Sequence, residues 1–339
     1  MQTKNTHCNA LPLTQSYYQG RTDIPLIEQT IGQYLDNIVD NYPDHPAIVF
    51  HHQQIRLTYR QYQQQINQLA MGLLSLGVKP GDRVGIWSPN NIEWCLTQFA
   101  TAKIGAIMVC INPAYRPSEL KYALNSVECS TLITASEFKA SNYISMLNVL
   151  APELKDSQAG ELNLNALPHL KNIIRIVDEP ATGMFSFSDI MQRATDAHKL
   201  ELDAIAASLS CDQDINIQFT SGTTGNPKGA TLSHKNILNN GFLMAQAMKL
   251  THEDKLCIPV PLYHCFGMVL GNLVCISKGA TAVFPGDSFD PKTTLEVIEK
   301  ERCTGLHGVP TMFIAELELK DFANYDLSSL RTGVMAGST

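Results

Sequence analysis

The segment Ile215-Asn216-Ile217-Gln218-Phe219-Thr220-Ser221-Gly222-Thr223-Thr224-Gly225-Asn226-Pro227-Lys228-Gly229 carries the strongest structural signal in the chain. Its first five residues are typical of a buried strand, and its last ten hold four hydroxyl side chains, three glycines and one lysine. Glycines let backbone N–H groups turn toward a bound anion, while hydroxyls add donors and lysine adds a positive charge. The pattern predicts a strand followed by a loop that binds nucleotide phosphates; a long flexible hairpin loop is the alternative.

The loop differs from the common Walker A phosphate loop. Pro227 stands where that motif has its second glycine, and Gly229 stands where it has the Mg²⁺-binding Ser or Thr. The residues that follow, Ala230-Thr231-Leu232, are typical of a strand rather than of an immediate helix. The loop therefore indicates phosphate binding of another kind. A kinase or ATPase with an aberrant phosphate loop remains a second hypothesis from another class.

Apolar runs on both sides of this segment alternate with helical patterns. Strands are predicted at 83–87, 106–111, 131–134, 172–177, 256–260, 280–284, 305–309 and 331–336, and helices at 91–103, 117–126, 234–248, 267–277, 291–302 and 310–319. Such alternation predicts an α/β fold with βαβ units around parallel sheets. The polar stretch Lys199 to Asp214 is the predicted boundary between two such subdomains, at about 45–198 and 212–339.

The N-terminal part begins differently. Residues 1–28 are polar and aperiodic and are predicted to form an arm, and residues 47–59 are predicted to form a hairpin. Thr58 is expected to cap the next helix, and Gly77 stands where a helix C-terminal glycine belongs. His51 and His52 are expected in the hairpin turn as solvated residues rather than metal ligands. Residues 137–170 show no assignable pattern.

Composition excludes several classes of protein. The 339 residues include 25 Lys and Arg against 32 Asp and Glu, a net charge of −7 that argues against nucleic acid as the partner. The apolar runs fall short of the ~20 residues of a transmembrane helix, and residues 1–5 lead into no signal-peptide run. The nine cysteines include no C-x-x-C pair, which indicates buried reduced thiols in a cytoplasmic protein rather than disulfides or a zinc site.

Thr220 to Gly229 resembles the signature of the adenylate-forming (AMP-binding) superfamily, which includes acyl-CoA synthetases, luciferases and the adenylation domains of peptide synthetases. Further segments are similar to the same family: Thr58-Tyr59, Gly81-Asp82-Arg83-Val84, Asn112-Pro113, Pro261-Leu262-Tyr263-His264-Cys265-Phe266-Gly267 and Met335-Ala336-Gly337-Ser338. The resemblance covers roughly residues 30–339, and its last two motifs are most similar to medium-chain fatty-acyl-CoA ligases. It implies an AMP-binding domain at 29–339.

This resemblance implies a reaction and a set of site residues. Family members join a carboxylate to ATP, release pyrophosphate and transfer the acyl group to coenzyme A, with Mg²⁺ as the metal ion. The β- and γ-phosphates would contact Thr220, Ser221, Gly222, Thr223, Thr224, Gly225, Asn226, Pro227 and Lys228. Lys228 and His264 would be catalytic, with His264 facing the acyl carboxylate and the α-phosphate. The acyl-adenylate pocket would include Tyr263, His264, Phe266, Gly308, Val309, Thr311, Gly337 and Ser338.

Some of these roles have a purely structural alternative. His264 follows an apolar run, where a histidine satisfied within a buried turn is the ordinary case. The segment Gly308 to Thr311 also fits a plain strand-to-helix turn with Pro310 at the first helical position. His234, beside a possible Ser233 cap, is expected to belong to a helix start rather than to a ligand site.

Later motifs of the family are absent from the sequence. The Tyr-Gly-x-Thr-Glu and Thr-Gly-Asp segments, which hold Mg²⁺ and ribose in the family, are not found, so no metal ligand is identified. We therefore expect the N-terminal part of an acyl-CoA synthetase, ending before the β-barrel part and the small C-terminal domain, and inactive alone. Alternatives are an aryl-CoA ligase or adenylation domain, and a non-catalytic nucleotide- or acyl-binding remnant. The expected partners are small-molecule substrates, namely a fatty acid, ATP and coenzyme A, and the sequence leaves the oligomeric state open.

Overall fold

The computed structural model describes residues 23–177, 179, 181–220 and 226–337. The elements up to residue 208 are α1 (Ile31–Asn41), β1 (Pro46–Phe50), β2 (Ile55–Thr58), α2 (Tyr59–Ser75), β3 (Arg83–Trp87), α3 (Ile92–Lys103), β4 (Ile107–Ile111), α4 (Pro117–Ser126), β5 (Thr131–Thr134), β6 (Glu137–Phe138), β7 (Ser141–Asn142), α5 (Tyr143–Leu150), β8 (Asn172–Arg175), β9 (Phe185–Ser186), α6 (Phe187–Gln192) and α7 (Asp196–Ser208).

The remaining elements continue the alternation of strands and helices. They are β10 (Asp214–Thr220), β11 (Lys228–Ser233), α8 (His234–Ala247), β12 (Lys255–Cys257), α9 (Cys265–Gly267), a π-helical segment (Met268–Leu273), α10 (Val274–Ile276), β13 (Thr281–Phe284), α11 (Pro291–Glu301), β14 (Gly305–Gly308), α12 (Pro310–Leu317) and β15 (Thr332–Met335). The predicted α/β class is confirmed. No described helix is both long enough and apolar enough to cross a membrane.

The strands form two large sheets. A seven-stranded sheet has the order β11-β10-β4-β3-β5-β8-β9, and only β11 runs antiparallel to its neighbour. A six-stranded sheet has the order β15-β14-β12-β13-β1-β2, and only β2 is antiparallel. Parallel strands are covered on both faces, which explains the continuous apolar runs in the sequence.

The two sheets do not divide the chain where the sequence suggested. The hairpin of β1 and β2, assigned by sequence to 45–198, pairs with β13 in the six-stranded sheet. Strands β10 and β11, assigned to 212–339, extend the seven-stranded sheet through β4. The proposed subdomain limits therefore do not coincide with the sheets, because an apolar pattern identifies a strand but not its neighbour.

One further segment differs from the prediction, and another had no prediction. The expected boundary at 199–214 is largely helix α7, which begins at the Thr195 cap and packs on α2 and α3. Residues 137–170, unassigned by sequence, contain the small β6–β7 hairpin, α5 and a short 3₁₀ turn. The predicted arm falls mostly outside the described residues, since 1–22 are not described.

Local signals set the helix ends as expected. Thr58 accepts a hydrogen bond from the Gln61 backbone, and the Gln61 side chain accepts one from the Thr58 backbone. This capping box satisfies backbone donors that a helix start leaves free. Gly77 follows α2 with φ of +78°, a left-handed conformation that costs glycine no Cβ clash. Both predictions are confirmed.

One continuous core joins the two sheets. It includes Ile48 and Phe284 from the six-stranded sheet, Val84 and Ile86 from the seven-stranded sheet, and side chains of the helices between them. The eight described cysteines are free, and six of them are buried. Buried apolar packing, rather than disulfide linkage, therefore stabilises the described part.

Candidate active site

The carboxyl ends of strands from both sheets border a cavity of about 220 Å³. Asn90 and Asn112 reach it from the segments after β3 and β4. Tyr263 and Phe289 reach it from the segments after β12 and β13, and Met312 reaches it from α12. Ligands of α/β proteins bind outside the carboxyl ends of the strands. The topology therefore places the predicted Pro261–Gly267 motif at a position suited to ligand binding.

The segment before His264 is shorter as a strand than predicted. Strand β12 ends at Cys257, whereas the sequence suggested a strand to residue 260. Pro259 and Pro261 carry no N–H group, so this segment cannot continue a regular ladder of hydrogen bonds. Its backbone instead enters an irregular turn beside the cavity.

The helix after His264 also differs from the prediction. The expected helix at 267–277 starts earlier, at Cys265, and contains the π-helical segment in its middle. Wide π turns occur preferentially at functional sites. A Cβ on Gly267 would lie within 3.0 Å of the Pro261 carbonyl, so only glycine lets the helix start pack against the turn.

His264 begins this helix and exposes its ring. Its Nδ1 accepts a hydrogen bond of 3.1 Å from the Phe266 backbone, which makes Nε2 the ring nitrogen available to a ligand. Partial burial lowers the pKa of His264, so the ring is neutral near pH 7. The alternative was a histidine satisfied within a buried turn. The His264 side chain does cap the helix, but the residue is exposed rather than buried.

The ends of the predicted phosphate loop lie opposite each other. Strands β10 and β11 pair Thr220 with Lys228, and the Thr220 hydroxyl lies 3.4 Å from the Lys228 carbonyl oxygen. Residues 221–225, which carry the predicted contacts of Ser221, Gly222, Thr223, Thr224 and Gly225, lie outside the described residues. Lys228 and Asn226 are exposed, and Pro227 is partly so. The strand predicted after the loop is confirmed.

A polar contact connects the hairpin of β10 and β11, which bears the predicted phosphate loop, with the helix that begins after His264. Gln218, on β10, lies 3.7 Å from the Met268 sulfur in the π-helical segment and 3.1 Å from the Asn216 side-chain oxygen. Asn216 in turn donates to the Met108 carbonyl on β4. Gln218 and Met268 are close in sequence to Thr220 and His264, respectively. The two motifs singled out by sequence are therefore brought to the same side of the molecule.

Two of the predicted acyl-pocket residues, Phe266 and Gly308, lie beside His307. The Phe266 and His307 ring centroids are 5.3 Å apart, and Gly308 directly follows His307 on β14. A Cβ on Gly337, whose φ is +88°, would lie 3.2 Å from the Val309 side chain. These contacts place Phe266 beside His307 and Gly337 beside Val309, and an acyl pocket formed by these residues stays a prediction. Thr311 is exposed on α12, and Ser338 lies outside the described residues.

His307 is a buried residue that sequence reasoning missed. Its Nε2 lies 2.7 Å from the Leu270 carbonyl oxygen in the π-helical segment, and its Nδ1 accepts from the Val334 backbone at 3.2 Å. Nε2 must then carry the proton, so the ring is a neutral bridge between β15 and the helix after His264. The surrounding Gly305–Gly308 sequence gives no signal for this role.

Buried histidines are expected to make folding depend on pH. Burial lowers the pKa of His234 and of His307 to about 4, against 6.5 for a free side chain. Because the unfolded chain binds protons more readily, their stabilisation is complete above pH ~6.5 and is lost as pH falls toward 4. At pH 5 we expect each of the two histidines to lower the free energy of unfolding by about 2 kcal/mol relative to pH 7.

Urea unfolding at pH 7 and pH 5 measures this effect. His234→Gln should reduce the pH dependence by about 2 kcal/mol, since the protonation difference of this side chain is removed. His169→Gln is the matched control, because His169 is exposed, and it should leave the dependence unchanged. An equal pH dependence in His234→Gln and the unmodified chain would contradict the assignment.

The described residues do not form a metal site. Among them, no group of three His, Cys, Asp or Glu side chains lies together in a way that could hold an ion. No such group is therefore offered to the Mg²⁺ implied by the family resemblance within the described part.

Comparison with known proteins identifies the class of the chain. The family model described as "AMP-binding enzyme" matches residues 35–339, so the chain belongs to the AMP-binding enzyme family. It is 47% identical over 313 residues to a putative acyl-CoA synthetase, YngI, of Bacillus subtilis, covering 92% of this chain and 57% of that protein. It is 44% identical over 328 residues to the mitochondrial medium-chain acyl-CoA ligase ACSF2 of Danio rerio, covering 96% and 54%.

Solved structures support the same fold. The anthranilate CoA ligase AuaEII, in complex with anthranoyl-AMP, matches with a TM-score of 0.78 and 28% identity, covering 93% of this chain and 56% of that one. The N-terminal domain of FACL13 from Mycobacterium tuberculosis has the same fold, with a TM-score of 0.77 over 91% of this chain and 70% of that one. The chain spans about half the length of the curated relatives it matches.

Proposed function

We propose that the chain forms the ATP- and carboxylate-binding part of an AMP-forming acyl-CoA synthetase. One observation carries the proposal: strand β10, which leads to Thr220, contacts the helix that begins after His264, through Gln218 and Met268. A ligand spanning both would carry phosphates at one end and an acyl group at the other, as an acyl-adenylate precursor does.

The proposed reaction has two steps. A carboxylate oxygen attacks the α-phosphorus of ATP, the bond between the α-phosphorus and the bridging oxygen breaks, and pyrophosphate leaves with the electron pair. The sulfur of coenzyme A then attacks the acyl carbon, and AMP leaves with the former carboxylate oxygen. Lys228 would stabilise the charge that develops on pyrophosphate, since preorganised donors and cations act most strongly where charge develops.

The neutral His264 ring would contribute by hydrogen bonding rather than by charge. With Nδ1 accepting from Phe266, its Nε2–H points a donor away from the helix, suited to an oxygen of the carboxylate or of the α-phosphate. Tyr263 lines the cavity, and burial raises its pKa, so its hydroxyl stays protonated. These residues would orient the reacting oxygens and stabilise the transition state.

A fatty acid of medium length is the proposed acyl substrate. Support comes from the apolar Phe266, Val309 and Met312 on the six-stranded-sheet side, and from the name of the Danio rerio relative. An aryl carboxylate is the second candidate, because AuaEII is an anthranilate CoA ligase. The cytoplasm stays our proposed location; the relative from Danio rerio is named as mitochondrial.

Acyl-adenylate analogues test the substrate class on this chain. Sulfamoyl adenosines carrying C6 to C16 acyl groups or an anthraniloyl group are titrated by calorimetry. We expect medium-length acyl analogues to bind at least tenfold more tightly than the anthraniloyl analogue, because each buried methylene contributes about 0.8 kcal/mol. Preference for the anthraniloyl analogue would favour the aryl ligase. Binding of ATP with no gain from any acyl group would favour a non-catalytic nucleotide-binding protein.

A further inference from the structure

Asn90 connects the two sheets at the edge of the candidate site. It follows β3 of the seven-stranded sheet and is 2% exposed. Its Nδ2 donates to the Val260 carbonyl at 3.0 Å, and its Oδ1 accepts from the Leu262 N–H at 2.7 Å. Its own backbone N–H donates to the Asp287 carbonyl at 3.1 Å. One residue thus binds two loops of the other sheet.

The turn before His264 needs these bonds. Val260 and Leu262 are fully buried, and the flanking Pro259 and Pro261 supply no N–H groups for a ladder. Buried backbone groups without partners are costly, so a donor and an acceptor must come from elsewhere. The side-chain amide of Asn90 offers a donor and an acceptor in one plane. Because one partner is a carbonyl and the other an N–H, these contacts also identify which atom of the amide is the oxygen.

The position of this turn determines the position of His264. The His264 N–H donates to the Pro261 carbonyl at 3.3 Å, and the Gly267 backbone packs tightly against that same carbonyl. A shift of the segment from Val260 to Leu262 would therefore displace the helix start and the imidazole with it. Both polar atoms of the Asn90 side chain are already engaged, although the residue borders the cavity.

We propose that Asn90 is a positioning residue of the candidate active site, which holds the turn from Val260 to Leu262 and thereby orients Tyr263 and His264. The effect of Asn90 on ligand binding rests on the proposed function, whereas its effect on the position of the turn does not. The residue acts through the backbone of the opposite sheet. Neither a charge nor a contact with the reacting atoms is required of it.

Hydrogen exchange of single amides tests the bridge on this chain. In Asn90→Ala the Leu262 amide should exchange at least tenfold faster, because its acceptor is lost. Asn90→Asp keeps an oxygen at that position and should preserve most of the Leu262 protection. Asn91→Ala is the matched control: Asn91 accepts from the Trp94 N–H at 2.8 Å, so its loss should speed Trp94 exchange and spare Leu262.

Ligand binding separates positioning from a merely structural role. Asn90→Ala should weaken binding of the preferred acyl-sulfamoyl adenosine at least tenfold, while Asn91→Ala stays within twofold of the unmodified chain. Unchanged Leu262 exchange in Asn90→Ala, or faster exchange with unchanged analogue binding, would overturn the proposal. Failure of the unmodified chain to bind any analogue would overturn the proposed function, and Leu262 exchange would still decide whether Asn90 holds the turn.

Discussion

Replacing Lys228 by alanine is expected to slow acyl-adenylate formation by about 10²–10³-fold, the usual effect of removing one preorganised donor from developing negative charge. Lys228 is exposed at the mouth of the hairpin, directly opposite Thr220, so its loss leaves the fold intact. ATP binding should weaken about tenfold or more, since a charge-assisted hydrogen bond contributes about 1.5–3 kcal/mol. Binding of the fatty acid itself should change little.

Two assays measure these effects. A fluorescent ATP analogue is titrated against the chain, and pyrophosphate exchange is measured on a protein of the relatives' full length that contains it. Lys235→Ala is the matched control, because Lys235 pairs with Glu28 at 3.2 Å on the surface and should have no role in exchange. Equal exchange rates in Lys228→Ala and in Lys235→Ala would remove Lys228 from the mechanism.

Replacing Gly267 by alanine should destabilise the fold and abolish ligand binding at the His264 turn. The added Cβ would overlap the backbone of Pro261 and Leu262, which cannot move aside as a flexible side chain can. Overpacking costs about 1–3 kcal/mol, and a clash with backbone should lie at the upper end of that range. The helix start would have to move away from the turn, carrying His264 with it.

Urea unfolding and analogue binding check this expectation. Gly241→Ala is the graded comparison, since its Cβ would lie 3.1 Å from the nearest atom, on the Leu273 side chain, and its cost should be smaller. Gly267→Ala should lose more stability than Gly241→Ala and should also lose affinity for the acyl-sulfamoyl adenosine. If both variants bind the analogue as tightly as the unmodified chain, the tight packing of the turn has no bearing on the site.

Local signals in the sequence predict most of the fold. Runs such as Arg83–Trp87 and Thr281–Phe284 form strands where expected, because an apolar run between turn residues has few other structures open to it. Thr58 caps α2 for reasons contained within four residues. The order of strands in the sheets cannot be predicted in this way. Strand β1 pairs with β13, which is distant in sequence, and no local pattern encodes that partner.

Part of the candidate site is also indicated by local sequence signals. Lys228 and His264 stand in motifs with a chemical composition of their own, so the sequence indicates them directly. Asn90 and His307 act through partners that are distant in sequence or on another element: Asn90 binds Leu262, 172 residues away. The end of β12 at Cys257 was predictable in principle, since Pro259 and Pro261 cannot extend a ladder.

Transfer of a labelled oxygen tests the central claim, that this site joins a carboxylate to AMP. A medium-chain fatty acid with oxygen-18 in its carboxyl group is incubated with ATP, Mg²⁺ and coenzyme A and a protein of the relatives' full length that contains the chain. Mass spectrometry then locates the label in the products. The proposed chemistry predicts one oxygen-18 atom in the phosphate of AMP, formed in step with acyl-CoA. Oxygen-18 in inorganic phosphate, accompanied by ADP, would contradict it and favour a kinase-like acyl phosphate route.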